Sequence, residues 1–184
     1  MKLNSFEDLI RRIVTVLNDA KIDYMFTGAL ATSYYGVPRT TVDVDILVKF
    51  TPEDTKSLVM ELKKAGLSIN KRRIESAFKS GFKIITLEDE KSPFTVDIIL
   101  SDKKLEKRKG EILGMPTYYQ TPEALILAKL RMIKVTIQRE RALKDKDDVK
   151  AILRHIKVNL KALKNKAKEE KTISILEELL SSET

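Results

Sequence analysis

The stretch VPRTTVDVDILVKF, residues 37–50, predicts a strand that has one apolar face and two carboxylates on the other. Successive side chains of a strand point to opposite faces, so Val42, Val44 and Ile46 take one face and suit a buried core. Asp43 and Asp45 share the opposite face, with alpha carbons about 7 Å apart. Like charges at that spacing repel each other unless a cation lies between them. The pair therefore favours a metal site, and a solvated strand face is the alternative.

Two flanking features strengthen the interpretation as a metal site. Residues 24–28 predict a short strand that ends at Gly28, and residues 29–36 predict a helix. A glycine at such a turn lets phosphates approach the backbone, where a helix N-terminus favours an anion. Asp97 stands in a second apolar strand, FTVDIIL. If the two strands pair, three acids could hold one or two metal ions for nucleotidyl transfer, and one acid could accept a proton. The alternative for Asp97 is an acid at a strand end.

The order of predicted elements gives a mixed α/β fold with a helical C-terminal part. Strands are predicted for residues 24–28, 41–50, 82–89, 94–102 and 115–120, and the third and fourth form a hairpin. Helices are predicted for residues 5–22, 29–36, 51–66 and 103–110, and beyond residue 120 the chain is helical. We expect a small mixed sheet flanked by helices over residues 1–120, with residues 121–184 packed on that core.

Composition restricts the partners and the cofactor. The chain of 184 residues has no cysteine, which fits a reducing cytoplasm, and one histidine, so a metal would need oxygen ligands. Its apolar runs are short and broken by charge, so we expect no membrane span. The formal net charge is +8, and between residues 103 and 171 basic residues outnumber acidic ones about two to one. That excess suits a polyanionic partner, or a solvated lysine-rich helical surface.

Residues 24–48, with the glycine turn, the DxD strand and the later Asp97, resemble the signature of the DNA polymerase β-like nucleotidyltransferase superfamily. PRTTVDVD (residues 38–45) and the later TPEALILAKL and KDKDDV segments are most similar to minimal nucleotidyltransferases of the abortive-infection toxin (AbiEii-like) type. The resemblance implies the nucleotidyltransferase fold, Mg²⁺ or Mn²⁺, and a nucleoside triphosphate as substrate. It implies transfer of a nucleoside monophosphate to a hydroxyl acceptor, either tRNA or a protein. It also implies a toxin with a cognate antitoxin.

The resemblance further implies which residues form the site. The metal-binding and catalytic acids would be Asp43, Asp45 and Asp97. Gly28 and Ala29 match the turn that touches the triphosphate, although the family often has a second glycine or a serine where Ala29 stands. Backbone amides could still serve, and Ser33 or Thr32, one turn later, could supply the missing hydroxyl. Because of Ala29, the alternative function is a catalytically inactive nucleotide- or nucleic-acid-binding module of the same fold.

Two cations and one motif have open roles. Arg39 could clamp a phosphate or pair with the nearby acids. Lys129 interrupts an apolar run, so its ammonium must reach water or an anion. The resemblance implies a lysine that faces the active site, and a snorkelling surface lysine is the alternative. The Arg/Lys-Asp-x-x-Asp helix start of the family is matched by Lys144, Asp145 and Asp148. These acids could instead simply favour a helix N-terminus.

Overall fold

The structure is a computed structural model that describes residues 5–36, 38, 40–81 and 83–182. The chain divides into two compact units. A sheet unit comprises Met1–Leu30 and Thr40–Gln120, and a helical unit comprises Ala31–Arg39 and Thr121–Thr184. The predicted packing of residues 121–184 onto residues 1–120 stays a prediction. None of the helices in the described residues is long and apolar enough to cross a membrane.

The sheet unit contains six strands and three complete helices in its described part. Its elements are α1 (Phe6–Asp19), β1 (Tyr24–Phe26), β2 (Asp43–Lys49), a 3-10 turn (Pro52–Asp54), α3 (Thr55–Lys64), α4 (Lys71–Lys79), β3 (Ile84–Glu88), β4 (Thr95–Ser101), β5 (Lys107–Ile112) and β6 (Met115–Gln120). Helix α2 (Gly28–Tyr34) begins in this unit and continues into the helical unit. Ser5 caps α1 through the predicted capping box with Asp8.

The six strands form one mixed sheet in the order β3-β4-β2-β1-β6-β5. β2 pairs with β4 in parallel and with β1 antiparallel, while β3 and β4 form the predicted antiparallel hairpin. The order places β2 and β4 side by side in the middle of the sheet, although β3 lies between them in the chain. The expected mixed sheet flanked by helices is confirmed.

Side chains alternate along β2 from Asp43 onward as the sequence predicts, but Val42, which was predicted for the core, is 63% exposed because it precedes the strand. Val44 and Ile46 are fully buried and Val48 nearly so, whereas Asp43 is exposed and Asp45 is half-buried. β4 shows the same alternation, with Val96, Ile98 and Leu100 buried. One face of the sheet therefore builds the core, and the other carries the acids.

The prediction of a helix for residues 103–110 is wrong. Residues from Lys107 onward form β5, which pairs antiparallel with β6 at one edge of the sheet. An edge strand tolerates charged side chains because only one of its sides is paired. The ammonium of Lys107 lies 3.8 Å from the centre of the Tyr118 ring and pairs with Asp23.

The helical unit contains four further helices in its described part, α5 (Pro122–Val135), α6 (Arg139–His155), α7 (Leu160–Glu169) and α8 (Ile173–Ser181). Each contributes apolar residues to a buried core, namely Leu125, Ile126, Leu130, Val149, Ile152, Leu163, Ala167, Leu176 and Leu179. α6 begins at Arg139, so Asp145 and Asp148 lie six and nine residues inside the helix. Their predicted position at a helix start is therefore wrong, because the helix-forming residues before them extend α6 toward its N-terminus.

Candidate active site

The glycine turn lies directly against the second aspartate of the DxD pair. Gly28 follows β1 with a φ of +58°, a conformation that side chains with a Cβ rarely adopt. The amide of Thr27 donates a hydrogen bond of 3.0 Å to the carbonyl of Asp45, which joins the end of β1 to β2. A Cβ added at Gly28 would overlap the carboxylate of Asp45. Glycine is therefore required here for conformation and for close approach.

The three acids share one face of the sheet. Asp45 and Asp97 are register partners in the parallel pair of β2 and β4, so their alpha carbons stand on neighbouring strands, about 4.8 Å apart in a typical sheet. Asp43 lies two residues before Asp45 and is the register partner of Thr95. The strand pairing thus brings Asp97 beside the DxD motif, as the sequence-based hypothesis requires.

Two threonine hydroxyls orient the outer acids. The hydroxyl of Thr95 donates to Oδ1 of Asp43 at 2.7 Å, and the hydroxyl of Thr86 on β3 donates to Oδ1 of Asp97 at 2.6 Å. Hydrogen bonds to a charged acceptor are short and strong, so each fixes the direction of its carboxylate. The sequence analysis missed both threonines, because only the strand register shows that they face the acids.

The chemistry of these side chains fits a hard divalent cation. Asp43, Asp45 and Asp97 offer only carboxylate oxygens, which are the ligands that Mg²⁺ prefers. As the side chains stand, no group of three or more acidic or histidine residues in the described part of the chain is arranged closely enough to hold a metal. The hydrogen bonds from the threonines account for two of these orientations. The assignment of the three acids as metal ligands stays a prediction.

Lys129 lies on α5 in the helical unit, and its side chain is buried. Its ammonium contacts Oδ2 of Asp148 at 2.6 Å and Oδ1 of Asp145 at 3.1 Å, both on α6. The anion that this lysine was expected to reach is thus supplied by the predicted Asp-x-x-Asp motif itself. Lys144 is exposed on the same helix. The cluster explains why the motif and Lys129 occur together, and their roles toward a nucleotide stay predictions.

Two of the remaining predicted residues lie in α2. Ala29 is half-buried in its first turn, and Ser33 is half-buried near its end. Arg39 lies outside the described residues. The contribution of these three residues to nucleotide binding stays a prediction.

Comparisons with known proteins establish the fold. No protein-family model matches the chain, and no curated protein does so at a significant level. Among solved structures, ANT(2'')-Ia in complex with adenylyl-2''-tobramycin matches with a TM-score of 0.60 at 13% identity, over 97% of this chain and 98% of that one. The lincomycin-bound lincosamide antibiotic adenylyltransferase LnuA matches with a TM-score of 0.56 at 12% identity, over 84% and 100%. A nucleotidyltransferase-like protein from Paracoccidioides brasiliensis matches with a TM-score of 0.51 at 15% identity, over 94% and 92%.

At these identities the likeness concerns the fold alone. This chain has the fold of solved nucleotidyltransferases, over nearly the full length of the proteins compared. The chemistry has to be argued from its own residues.

Proposed function

We propose that the chain is a nucleotidyltransferase that moves a nucleoside monophosphate from a nucleoside triphosphate onto a hydroxyl acceptor. The observation that carries the proposal is the register pairing of Asp45 with Asp97, with the backbone of Gly28 held against Asp45. These three residues come from separate parts of the sequence, and each matches a separate part of the superfamily signature. A solvated strand face has no need for a glycine fitted against one of its carboxylates.

The reaction follows from the roles of the acids. Asp97 accepts the proton of the acceptor hydroxyl. The acceptor oxygen then forms a bond to the α-phosphorus, and the bond from that phosphorus to the bridging oxygen breaks, which releases pyrophosphate. Thr86 donates to Oδ1 of Asp97, so Oδ2 is the oxygen that would take the proton.

Asp43, Asp45 and Asp97 would hold Mg²⁺ or Mn²⁺, which when bound supplies positive charge to the triphosphate and the transferred group. Gly28 would let the triphosphate approach the main chain, since no side chain stands in its way. Ala29 contributes no hydroxyl, so the backbone amides or Ser33 would provide the remaining polar contacts.

We further propose that the chain is of the AbiEii-like toxin type and modifies tRNA or a protein, with an antitoxin as its partner. The net charge of +8 supports a polyanionic acceptor such as tRNA. The absence of cysteine supports a cytoplasmic location. Two of the structural neighbours were solved with adenylyl-2''-tobramycin and with lincomycin, which are not polyanions. Small antibiotics should therefore be included among the acceptors that are tested.

A transfer assay tests the activity. The protein is incubated with each labelled nucleoside triphosphate, with Mg²⁺ or Mn²⁺, and with total tRNA, cell lysate, tobramycin or lincomycin. We expect label on one acceptor class, and its loss in Asp45→Asn, a variant of nearly unchanged size. Absence of transfer to every acceptor, or equal transfer by Asp45→Asn, would contradict the proposal.

The second candidate is an inactive binding module of the same fold. It is favoured by Ala29, which has no hydroxyl to offer a phosphate. It is also favoured by the carboxylates of Asp43 and Asp97, each of which is hydrogen-bonded to a threonine and not directed at a common metal position. Calorimetric titration with a triphosphate separates the candidates, because the enzyme should need Mg²⁺ for tight binding. Tight binding that does not depend on Mg²⁺ would favour the module.

A further inference from the structure

A cleft of about 500 Å³ opens beside the edge strand β3 in the sheet unit. Helix α4 contributes Arg72, Arg73 and Ser76 to its wall, Asn70 adds the cap of that helix, and β3 contributes Ile84 and Thr86. None of these residues belongs to the predicted nucleotide site. The cleft is therefore a separate feature that the proposed chemistry has not yet used.

A short chain of hydrogen bonds joins this cleft to the proposed catalytic base. Arg73 donates from Nη2 to the carbonyl of Thr86 at 2.8 Å, and so covers an open group of the edge strand. The hydroxyl of the same threonine donates to Asp97 at 2.6 Å. Thr86 thus links Arg73 in the cleft wall to Asp97 through one hydrogen bond on each side. An acceptor seated in the cleft would lie on the side of Asp97 that is opposite to β2.

The cleft carries unbalanced positive charge. Helix α4 has four basic residues and one acid, Glu75, which pairs with Lys71 at 3.3 Å. The side chain of Arg72 is exposed and makes no hydrogen bond or ion pair with any residue that the structure describes. Arg73 is held in place by Thr86 and retains donors that face solvent. Arg72 and Arg73 both line the cleft, and guanidinium groups suit a phosphate group.

We propose that this cleft binds the phosphodiester chain of a nucleic-acid acceptor and delivers its hydroxyl to Asp97. The inference rests on the proposed function and specifies the acceptor class for it. Arg72 and Arg73 contact phosphates, and Ile84, which is 56% exposed, offers an apolar surface to a base or ribose. The overall charge of +8 favours the approach of such a polyanion. An acceptor with several amino groups would meet like charge here.

Fluorescence anisotropy with a short, labelled, single-stranded oligoribonucleotide tests the cleft without triphosphate or metal. We expect Arg72→Glu to weaken binding by about tenfold at low salt, because it replaces a phosphate contact with a repelling charge. For Arg72→Ala, the slope of log affinity against log salt should fall by about 0.7, the value for one phosphate contact on a single strand. Lys56→Glu on α3 is the matched control, since Lys56 is exposed, lies outside the cleft and changes the net charge equally.

Equal weakening by Arg72→Glu and Lys56→Glu would overturn the inference, since general charge would then explain the binding. It would also be overturned if Arg72→Glu bound the oligoribonucleotide normally but lost transfer to a lysate protein. The wild-type transfer assay keeps the two proposals apart. If the wild type transfers no label, the proposed function fails whatever the anisotropy shows. If the wild type transfers label to RNA, the proposed role of the cleft predicts that Arg72→Glu has a raised KM for RNA and an unchanged kcat.

Discussion

Gly28→Ala tests the close approach between the glycine turn and Asp45. The variant must place a residue with a side chain at a φ of +58°, which costs about 1–2 kcal/mol. Its methyl group must also displace the Asp45 carboxylate, and overpacking of this kind typically costs about 1–3 kcal/mol more. We therefore expect the free energy of unfolding to fall by about 3 kcal/mol, measured by urea denaturation followed by circular dichroism.

A double-mutant cycle separates the two contributions. In an Asp45→Ala background the carboxylate is gone, and the remaining Cβ of residue 45 would stand 3.1 Å from the new methyl group, a tight contact that a small shift relieves. Gly28→Ala should then cost only the backbone contribution, about 1–2 kcal/mol. The difference between the two backgrounds measures the contact itself.

Gly114→Ala provides a matched control in the same unit. Gly114 has a φ of +76°, and a Cβ added there would meet nothing within 4 Å. Its substitution should cost the backbone contribution alone, whichever residue occupies position 45. If Gly28→Ala cost the same in both backgrounds and no more than Gly114→Ala, the fitted approach to Asp45 would be refuted.

Three further predictions follow from named contacts. Asp97→Asn should lower kcat by about 10²-fold or more in the transfer assay, with triphosphate affinity less affected, because the amide cannot accept the acceptor proton. Lys129→Met should destabilise the helical unit by about 3 kcal/mol in urea denaturation, because it removes the ammonium group that contacts the buried carboxylate of Asp148. Burial raises the pKa of Asp89, but hydrogen bonds from Arg12 and from a neighbouring serine outweigh it and hold this pKa below its usual value. The stability from this ion pair should thus be complete above the usual aspartate pKa and be lost as pH falls through the lowered one, so Asp89→Asn should flatten the acid limb of the stability profile.

Local patterns in the sequence predict the faces of the central strands correctly. The alternation of Val44, Ile46 and Val48 with the acids determines which face of β2 is buried, and the structure reproduces it. Local patterns do not predict which strand pairs with β2. The register of Asp45 with Asp97 depends on β4 inserting between β2 and β3, which is a long-range pairing. No local periodicity specifies it, so the sequence analysis could only state the pairing as a condition.

The failure at residues 103–110 has a physical cause. Four of these eight residues are lysine, and leucine, glutamate and arginine are also good helix formers, but propensity is a weak guide where tertiary pairing decides. A signal for the strand was present in the next residues. Leu113 and Gly114 both have positive φ and connect Ile112 to its partner Met115, as in a two-residue hairpin turn. Leucine rarely occupies such a position, so the turn is hard to recognise from the sequence.

The structure changes which residue of the glycine turn matters most. From the sequence, Ala29 is the weak point of the turn, because the resemblance leads us to expect a second glycine or a serine there. In the structure, Gly28 is the position that restricts the choice of residue most, because both its backbone conformation and its contact with Asp45 exclude a side chain. A turn that only connected β1 to α2 could tolerate a larger residue by a small shift of the backbone. A glycine fitted to a DxD carboxylate therefore supports the proposed site, in which the main chain stays open to a ligand, and the effect of Ala29 on the binding of that ligand stays a prediction.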